Sequence, residues 1–427
     1  MKRILILVFT LAAMIQVKAQ VNPELNHWII RSFSYYPKIQ ELNKNSEISE
    51  IRVSVAESNY LPNINGTASY NYINPLSQAT IPVSATELKT LQFQPHNNYN
   101  FNVGLNQVIW DFGKTKAQVD KAKSDLLVTK QNTESAKLQL ASQVTGIYYS
   151  MIYLKKAIAL QDTVIGFYEK NKKIIEGKIR QGDALQVDLS NVDNSIDQER
   201  NRKVDFQRQY ERQIALMNFT TGLSEIPTNT EFDFKSAGVP ELNAQGNPDI
   251  LAADERIHGA KADSRLAQSN RLPSLSFQAN AGVKNGYQPD LNEMRFNYLA
   301  GVTLNVPIFQ GHRIQQNVAV AQKSMELNEI SKNNLTNTLQ KDWQSAKADL
   351  AAYEQQVLNT NSQISASKEA LRLTQVRYER GVATYIDLVF ASANLQRALL
   401  AQLQYKYQAT LAQTELSRLQ GSKFWQE

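Results

Sequence analysis

Four short stretches of the sequence alternate apolar and polar residues. In the first, 63–73, Ile64, Ala68 and Tyr70 fall on one face, and asparagine, threonine and serine residues fall on the other. A period of two residues predicts β-strands. The same pattern occurs at about 98–110, 274–284 and 294–306.

The predicted strands have the length of membrane-spanning strands. Each has roughly 9–12 residues, which matches strands that cross a bilayer at a tilt. Their polar face is rich in asparagine and nearly uncharged, which suits a water-filled lumen. The half-buried sheet of a water-soluble protein also alternates, so the pattern by itself leaves that alternative open.

The remainder of the chain is predicted to be helical. Apolar residues recur every three or four positions, as in Val144, Ile147, Met151, Leu154 and Ile158. This period near 3.5 is typical of a coiled coil, with or without a pore. The first long helix would extend on the order of 95 Å. The predicted long helices cover 114–177, 184–218, 313–376 and 384–419.

The chain contains two copies of one unit of about 200 residues. Each copy has a Leu-Pro before a strand and, after a long helix, a glycine six residues before an aspartate. The matching segments are Ser58–Pro62 with Ser269–Pro273, offset by 211, and Gly182–Asp188 with Gly381–Asp387, offset by 199. The offset between matching positions thus falls by 12 residues. This predicts a longer loop in the first copy, between residues 62 and 109. The expected boundaries are 20–222 and 248–427 for the copies and 223–247 for the linker.

Residues 1–19 are predicted to be a secretory signal peptide. Lys2 and Arg3 precede an apolar run, Ile4–Ile15, that is too short to cross a bilayer as a helix. Cleavage is expected after Ala19, and the alternative is an uncleaved N-terminal anchor. Cleavage would lower the formal charge from +6 to +3, which gives no electrostatic basis for nucleic-acid binding.

The composition excludes several kinds of chemistry. The 427 residues include no cysteine, which rules out disulfides, cysteine-ligated zinc, iron–sulfur clusters, a thiol nucleophile and lipoprotein acylation. No motif of a zinc protease, a nucleotide-binding loop or a serine hydrolase occurs. The histidines, which lack metal-ligand spacing, are His27, His96, His258 and His312. We therefore expect no enzymatic activity, no metal site and no cofactor.

Four strands cannot close a barrel, so the chain is expected to assemble with copies of itself. An open sheet edge in lipid leaves backbone N–H and C=O groups without partners. Two chains would give about eight strands, a barrel that side chains usually fill, whereas three would give about 12 strands around a water-filled channel. The uncharged polar face favours a homotrimer with cyclic symmetry.

With these features the sequence resembles the TolC-type outer membrane efflux proteins. The resemblance rests on the duplicated unit, on Val306–Phe309 after the last strand and on Gly-x5-Asp-Leu after each long helix, and it covers 20–427. It implies a mixed α and β membrane protein with a long α-helical coiled-coil barrel. A transmembrane β-barrel would take four strands from each chain and 12 from the trimer. The prolines expected where strands begin or end are Pro62, Pro273 and Pro307.

The resemblance also implies a function, a location and partners. The protein would be the trimeric outer membrane channel of a tripartite efflux system in a Gram-negative bacterium, with its helices in the periplasm. Its partners would be a periplasmic adaptor (membrane fusion) protein, an inner-membrane transporter of the RND, ABC or MFS type, and outer membrane lipid. Residues 223–247 and the C-terminal tail would form an equatorial belt. Two alternatives remain open: a type I protein secretion channel, and an envelope-spanning coiled-coil protein without a pore.

A periplasmic gate is implied at two helix turns, whose tips are Gly182 and Gly381. Asp387 matches the constriction aspartate of the family, while Asp188 and Tyr378 match members of an inter-helix clamp. Each aspartate could instead serve only as a favourable charge in the first turn of a helix.

Two positions depart from the family pattern. Ala383 stands where the clamp has an arginine, and Phe390 stands where the constriction has a second aspartate. We therefore expect a single carboxylate ring with an apolar ring beside it. The basic residues near the tips, expected to be solvated or to contact the adaptor, are Lys170, Lys172, Lys173, Lys178, Arg180, Arg372, Arg377 and Arg380.

Overall fold

The computed structural model describes residues 22–84, 87–234 and 241–426. The predicted signal peptide lies outside the described residues, and so do residues 235–240 of the predicted linker. Most of the described chain is α-helix. None of the helices in these ranges contains an apolar stretch long enough to cross a membrane.

The described ranges contain seven α-helices, of which α3 and α6 have 68 and 67 residues. Their bounds are α1 Pro23–Tyr35, α2 Pro37–Glu57, α3 Lys114–Gln181, α4 Gln186–Thr221, α5 Pro248–Ser269, α6 Arg313–Glu379 and α7 Tyr385–Leu419. The predicted end of the first long helix at residue 177 is wrong, because α3 continues through Gly177 for one more turn. Ile175 is buried at this point, and packing of this kind offsets the cost of about 1 kcal/mol of a glycine within a helix.

Six strands lie in the described ranges, in two antiparallel sheets. Their bounds are β1 Asn63–Tyr72, β2 Gln78–Ser84, β3 Glu87–Gln92, β4 Asn97–Trp110, β5 Ser274–Lys284 and β6 Arg295–Asn305. The main sheet has the order β1-β4-β5-β6, and β2 pairs only with β3. The expected longer loop of the first copy therefore contains a hairpin that the sequence analysis missed.

The main sheet keeps its polar residues in register from strand to strand. Asn63 lies opposite Asn106, and Asn106 lies opposite Gln278. One residue further along β1, Ile64 lies opposite Leu105. The sheet therefore has one face of amide and hydroxyl side chains and one apolar face, as alternation along each strand requires.

Two compact units divide the chain, and each contains parts of both copies. The unit that we call the helical unit comprises the described residues of 1–44, 131–251 and 333–427, and the unit that we call the sheet unit comprises 45–130 and 252–332. The units differ from the sequence copies because elements pair with partners far away in sequence. Strand β4 of the first copy, for example, pairs with β5 of the second.

The main core of the helical unit lies between α1, α3 and the C-terminal segment. Trp28 and Tyr148 meet edge to face at 5.2 Å, and Phe234 and Phe424 do so at 5.4 Å, distances typical of favourable aromatic pairs. All four side chains are buried. The described part of the predicted linker and the C-terminal tail thus share one hydrophobic cluster.

Carboxylates hold the linker segment against this core. Glu24 accepts hydrogen bonds from the Thr228 backbone N–H at 2.9 Å and from the Tyr148 hydroxyl at 2.8 Å. Asp233 accepts one from the Tyr149 hydroxyl at 2.7 Å. Burial raises the pKa of Glu24, but these hydrogen bonds to its charged form outweigh burial and leave the pKa below its ordinary value.

Candidate functional site

The turn between α3 and α4 closes around Gly182. This residue has a φ of 85°, a conformation that costs other residues more than glycine. The Asp183 N–H donates to the Lys178 carbonyl at 2.9 Å, and the Gly182 N–H donates to the Ile179 carbonyl at 3.1 Å. These bonds satisfy carbonyls at the helix end and reverse the chain within a few residues.

The turn between α6 and α7 repeats this geometry. Gly381 has a φ of 74°, and the Val382 N–H donates to the Arg377 carbonyl at 2.8 Å. Helices α3 and α6 therefore end with equivalent hydrogen bonds, at positions 199 residues apart. This spacing equals the offset between the two sequence copies.

Asp387 is the third residue of α7 and caps its N-terminus. Its carboxylate accepts from the Thr384 backbone N–H at 2.9 Å, while the Asp387 N–H donates to the Thr384 hydroxyl oxygen at 3.2 Å. This reciprocal arrangement is a capping box. The hydrogen bond from the Thr384 backbone is the main reason why the pKa of Asp387 lies below its ordinary value.

Asp387 lines a groove on the helical unit together with Phe390, Ala383 and Arg377. Phe390 is 66% exposed, so its ring is available to a neighbour or to solvent. The positive charge of Arg377 adds to the lowering of the Asp387 pKa. The structure thus brings together the predicted gate residues Asp387 and Phe390, and it supplies a nearby arginine that the sequence analysis had assigned to the tip surface.

Asp188 occupies the equivalent place in α4 but makes only half of a capping box. Its carboxylate accepts from the Leu185 N–H at 3.1 Å, and Leu185 has no side-chain oxygen to return a bond. Tyr378 is buried nearby, and its pKa is raised by burial and then by the negative charge of Asp188. The two predicted clamp residues are therefore electrostatic neighbours.

Lys178 joins the two turns, a role that the sequence analysis missed. Its ammonium group donates to the Tyr378 carbonyl at 2.9 Å and lies 4.3 Å from the centre of the Tyr378 ring. The lysine thus reaches both the backbone and the ring of one residue in the opposite turn. A cation over an aromatic face adds about 0.5–2 kcal/mol. The feature of the sequence that pointed to this contact was the cluster of basic residues near the tip.

A buried polar layer connects three helices behind the tips. Glu199 of α4 accepts from the amide of Gln161 of α3 at 2.7 Å and from that of Gln396 of α7 at 2.6 Å. All three residues are buried, and Arg202 donates to the second carboxylate oxygen at 2.7 Å. Because buried donors and carboxylates must be paired, this layer fixes how the three helices align.

The predicted prolines lie at the ends of strands in the sheet unit. Pro62 directly precedes β1, Pro273 directly precedes β5, and Pro307 follows β6 by two residues. Proline lacks an N–H group, so these are positions where it removes no hydrogen bond from the sheet. Within the described ranges, no three histidine, aspartate or glutamate residues are grouped so that they could hold a metal ion.

The comparisons with known proteins agree with this architecture. TtgC of Pseudomonas putida, a probable efflux pump outer membrane protein, is 22% identical over 426 residues, which cover 93% of this chain and 85% of TtgC. CusC, which forms a transmembrane channel, superimposes with a TM-score of 0.82 at 16% identity over 95% of this chain and 94% of CusC. The outer membrane protein VceC of Vibrio cholerae gives 0.78 at 16% identity over 94% and 97%.

The likeness to CusC and VceC shows the fold, and the predicted mixed α and β fold with two repeats is confirmed. The sequence pattern of the outer membrane efflux protein family matches the chain twice, at residues 35–222 and 239–422. The resemblance inferred from the sequence is thereby confirmed as well. These matches take in most of both copies, and the chain belongs to the outer membrane efflux protein family.

Proposed function

We propose that this protein is the outer membrane channel of a tripartite efflux system. Three copies form one conduit that receives substrates from an inner-membrane pump and a periplasmic adaptor and releases them outside the cell. Family membership supports the efflux role, and the name of TtgC as an efflux pump outer membrane protein points to the same kind of pump.

The observation that carries the proposal is the open main sheet. Its outer strands β1 and β6 each have one partner, β4 and β5, within the described chain. The unpaired edges need partners when the apolar face lies in lipid. Three sheets joined edge to edge form a closed barrel whose amide-lined face encloses water.

The proposal gives the turn residues a place in the conduit. Three copies bring three Asp387 carboxylates and three Phe390 rings toward one axis at the periplasmic opening. Fixed charges at a constriction favour counter-ions, so this ring attracts cations. Asp188 of the α3–α4 turn and Tyr378 of the α6–α7 turn form the clamp between the two turns, and Gly182 and Gly381 allow both turns to remain narrow.

The first test measures mass and conductance together. The protein is extracted from outer membranes in mild detergent, and its mass is corrected for bound detergent. Three chain masses, followed by steady ion conductance in a planar bilayer, are expected. A monomer or dimer without conductance would favour the coiled-coil protein without a pore. A conducting trimer that supports release of a protein substrate and of no small molecule would favour type I secretion.

A further inference from the structure

The main sheet contains only two charged residues, and both are cations. β1 and β4 have no lysine, arginine, aspartate or glutamate, whereas β5 ends in Lys284 and β6 begins with Arg295. The two residues lie directly opposite each other in the register of the sheet. A pair of like charges at one level is unfavourable unless something neutralises or separates them.

Both cations belong to the polar face of the sheet. Lys284 follows Asn280 and Gln278 at intervals of two residues, and it lies opposite Asn100 of β4. Asn100 in turn lies opposite Ser69 of β1. This level of the sheet is next to the connection 285–294, at the end of β5 farthest from α5.

The turn neutralises Arg295. The Arg295 guanidinium donates to the Glu293 carboxylate at 2.6 and 2.9 Å, and a further N–H donates to the Gln288 carbonyl at 2.9 Å. An arginine with a carboxylate this close contributes little net charge to its surroundings. The partner acid is itself on the exposed turn and outside the strands.

Within the described ranges, Lys284 has no neutralising partner of this kind. Its ammonium group lies 5.1 Å from the centre of the Tyr287 ring, and none of the described carboxylates forms an ion pair with it. An aromatic ring attracts and orients a cation but does not cancel its charge. Lys284 is therefore the one charged side chain of the polar face that has no carboxylate partner among the described residues.

We propose that Lys284 is a selectivity-determining residue that favours anions at the loop end of the channel. This inference rests on the proposed function, because it places the polar face of the sheet in the lumen. Three copies form a ring of three ammonium groups at one level of a wall that has no other net charge. Such a ring raises the local concentration of anions and lowers that of cations.

The test compares the reversal potential of single channels in a potassium chloride gradient. Lys284→Gln is expected to shift the reversal potential toward the potassium equilibrium value, and Lys284→Arg is expected to leave it unchanged. Lys89→Gln is the matched control, since Lys89 lies on β3 of the separate hairpin. The shift should shrink near 1 M salt, where the screening length falls to about 3 Å.

A second variant shifts the potential in the opposite direction. Glu293→Gln removes the acid that neutralises Arg295, so it adds a net positive charge at the same level without altering a strand. We expect its reversal potential to move toward the chloride equilibrium value. If Lys284→Gln fails to assemble, an unshifted reversal potential in Glu293→Gln still overturns the inference, because Lys284 and Arg295 lie at one level and that level would then be outside the conducting path.

The possible failures are distinct. A conducting trimer whose reversal potential is the same in wild type, Lys284→Gln and Glu293→Gln overturns the assignment of Lys284. A wild-type protein that forms no ion-conducting trimer overturns the proposed function instead.

Discussion

A single side chain at the α6–α7 turn combines two properties. Asp387 completes the capping box of α7, and its carboxylate remains on the surface beside Phe390. A substitution that removes the whole side chain would change the helix start and the charge together. The role of the charge is therefore best tested with a residue that keeps an acceptor oxygen.

Asp387→Asn removes the charge while the amide oxygen can still accept from the Thr384 N–H. In the proposed channel this change should lower the preference for cations, because the carboxylate ring at the constriction disappears. The measurement is the reversal potential in a salt gradient. The matched control is Asp188→Asn, which alters the equivalent capping position of α4. Equal shifts in both variants would contradict the assignment of Asp387 to the constriction.

Glu24 predicts a pH dependence of stability. Its pKa is below its ordinary value of 4.5 in the folded protein, so the unfolded chain binds its proton first as the pH falls. The stabilisation is complete above pH 4.5 and is lost as the pH falls through the lowered pKa.

Thermal unfolding of the wild type and of Glu24→Gln tests this expectation. The difference in midpoint temperature should be largest at neutral pH and should narrow as the pH falls below 4.5. A difference that stays constant over this range would show that Glu24 acts through packing alone.

At the scale of elements, the two turns are held together by one lysine. The Lys178–Tyr378 contact joins the end of α3 to the end of α6, and the buried Glu199 layer aligns α3, α4 and α7 behind it. The turns are therefore stabilised by local contacts that are separate from the main core around Trp28 and Tyr148.

Lys178→Met should loosen the α6–α7 turn while the rest of the helical unit keeps its stability. The loss of the hydrogen bond and of the cation–ring contact should cost about 1–2 kcal/mol of local stability. Hydrogen exchange at residues 371–385 should be faster, and Lys178→Arg should restore protection. Lys173→Met, at an exposed position of the same helix, is the control. Unchanged hydrogen exchange in Lys178→Met would show that the lysine does not stabilise the α6–α7 turn.

The elements differ in how far the sequence could predict them. Alternation of asparagine with apolar residues identified the strands of the main sheet, because each strand has one polar and one apolar face. The hairpin of β2 and β3 was missed because β2 contains Pro82, which weakens a strand prediction, and because the six residues of β3 do not alternate apolar and polar side chains. The Lys178–Tyr378 contact was missed because it joins residues 200 positions apart, and periodicity reports only neighbours on one element.

At the scale of the whole molecule, the hairpin of β2 and β3 lies outside the four-stranded sheet that forms the wall of the proposed channel. It forms its own sheet and lies in the longer loop of the first copy. Its ends are close together, since the Phe93 N–H donates to the Ser77 carbonyl at 3.1 Å.

Replacing residues 78–92 by a short glycine link should therefore preserve assembly. The main sheet keeps all of its strand pairs, and the extracted protein should still have the mass of three chains and conduct ions. The measurement is the detergent-corrected mass followed by bilayer conductance. A monomeric product would show that the hairpin takes part in assembly.

The open edges of the main sheet have a consequence in genetics. In the proposed trimer the ring closes through β1 of one copy and β6 of the next, so it cannot close when one copy has a defective edge strand. When a cell makes normal and edge-defective chains in equal amounts, only about one ring in eight contains no defective copy, from random assembly of three. Alleles that damage an edge strand should therefore be dominant, whereas alleles that yield no protein should be recessive.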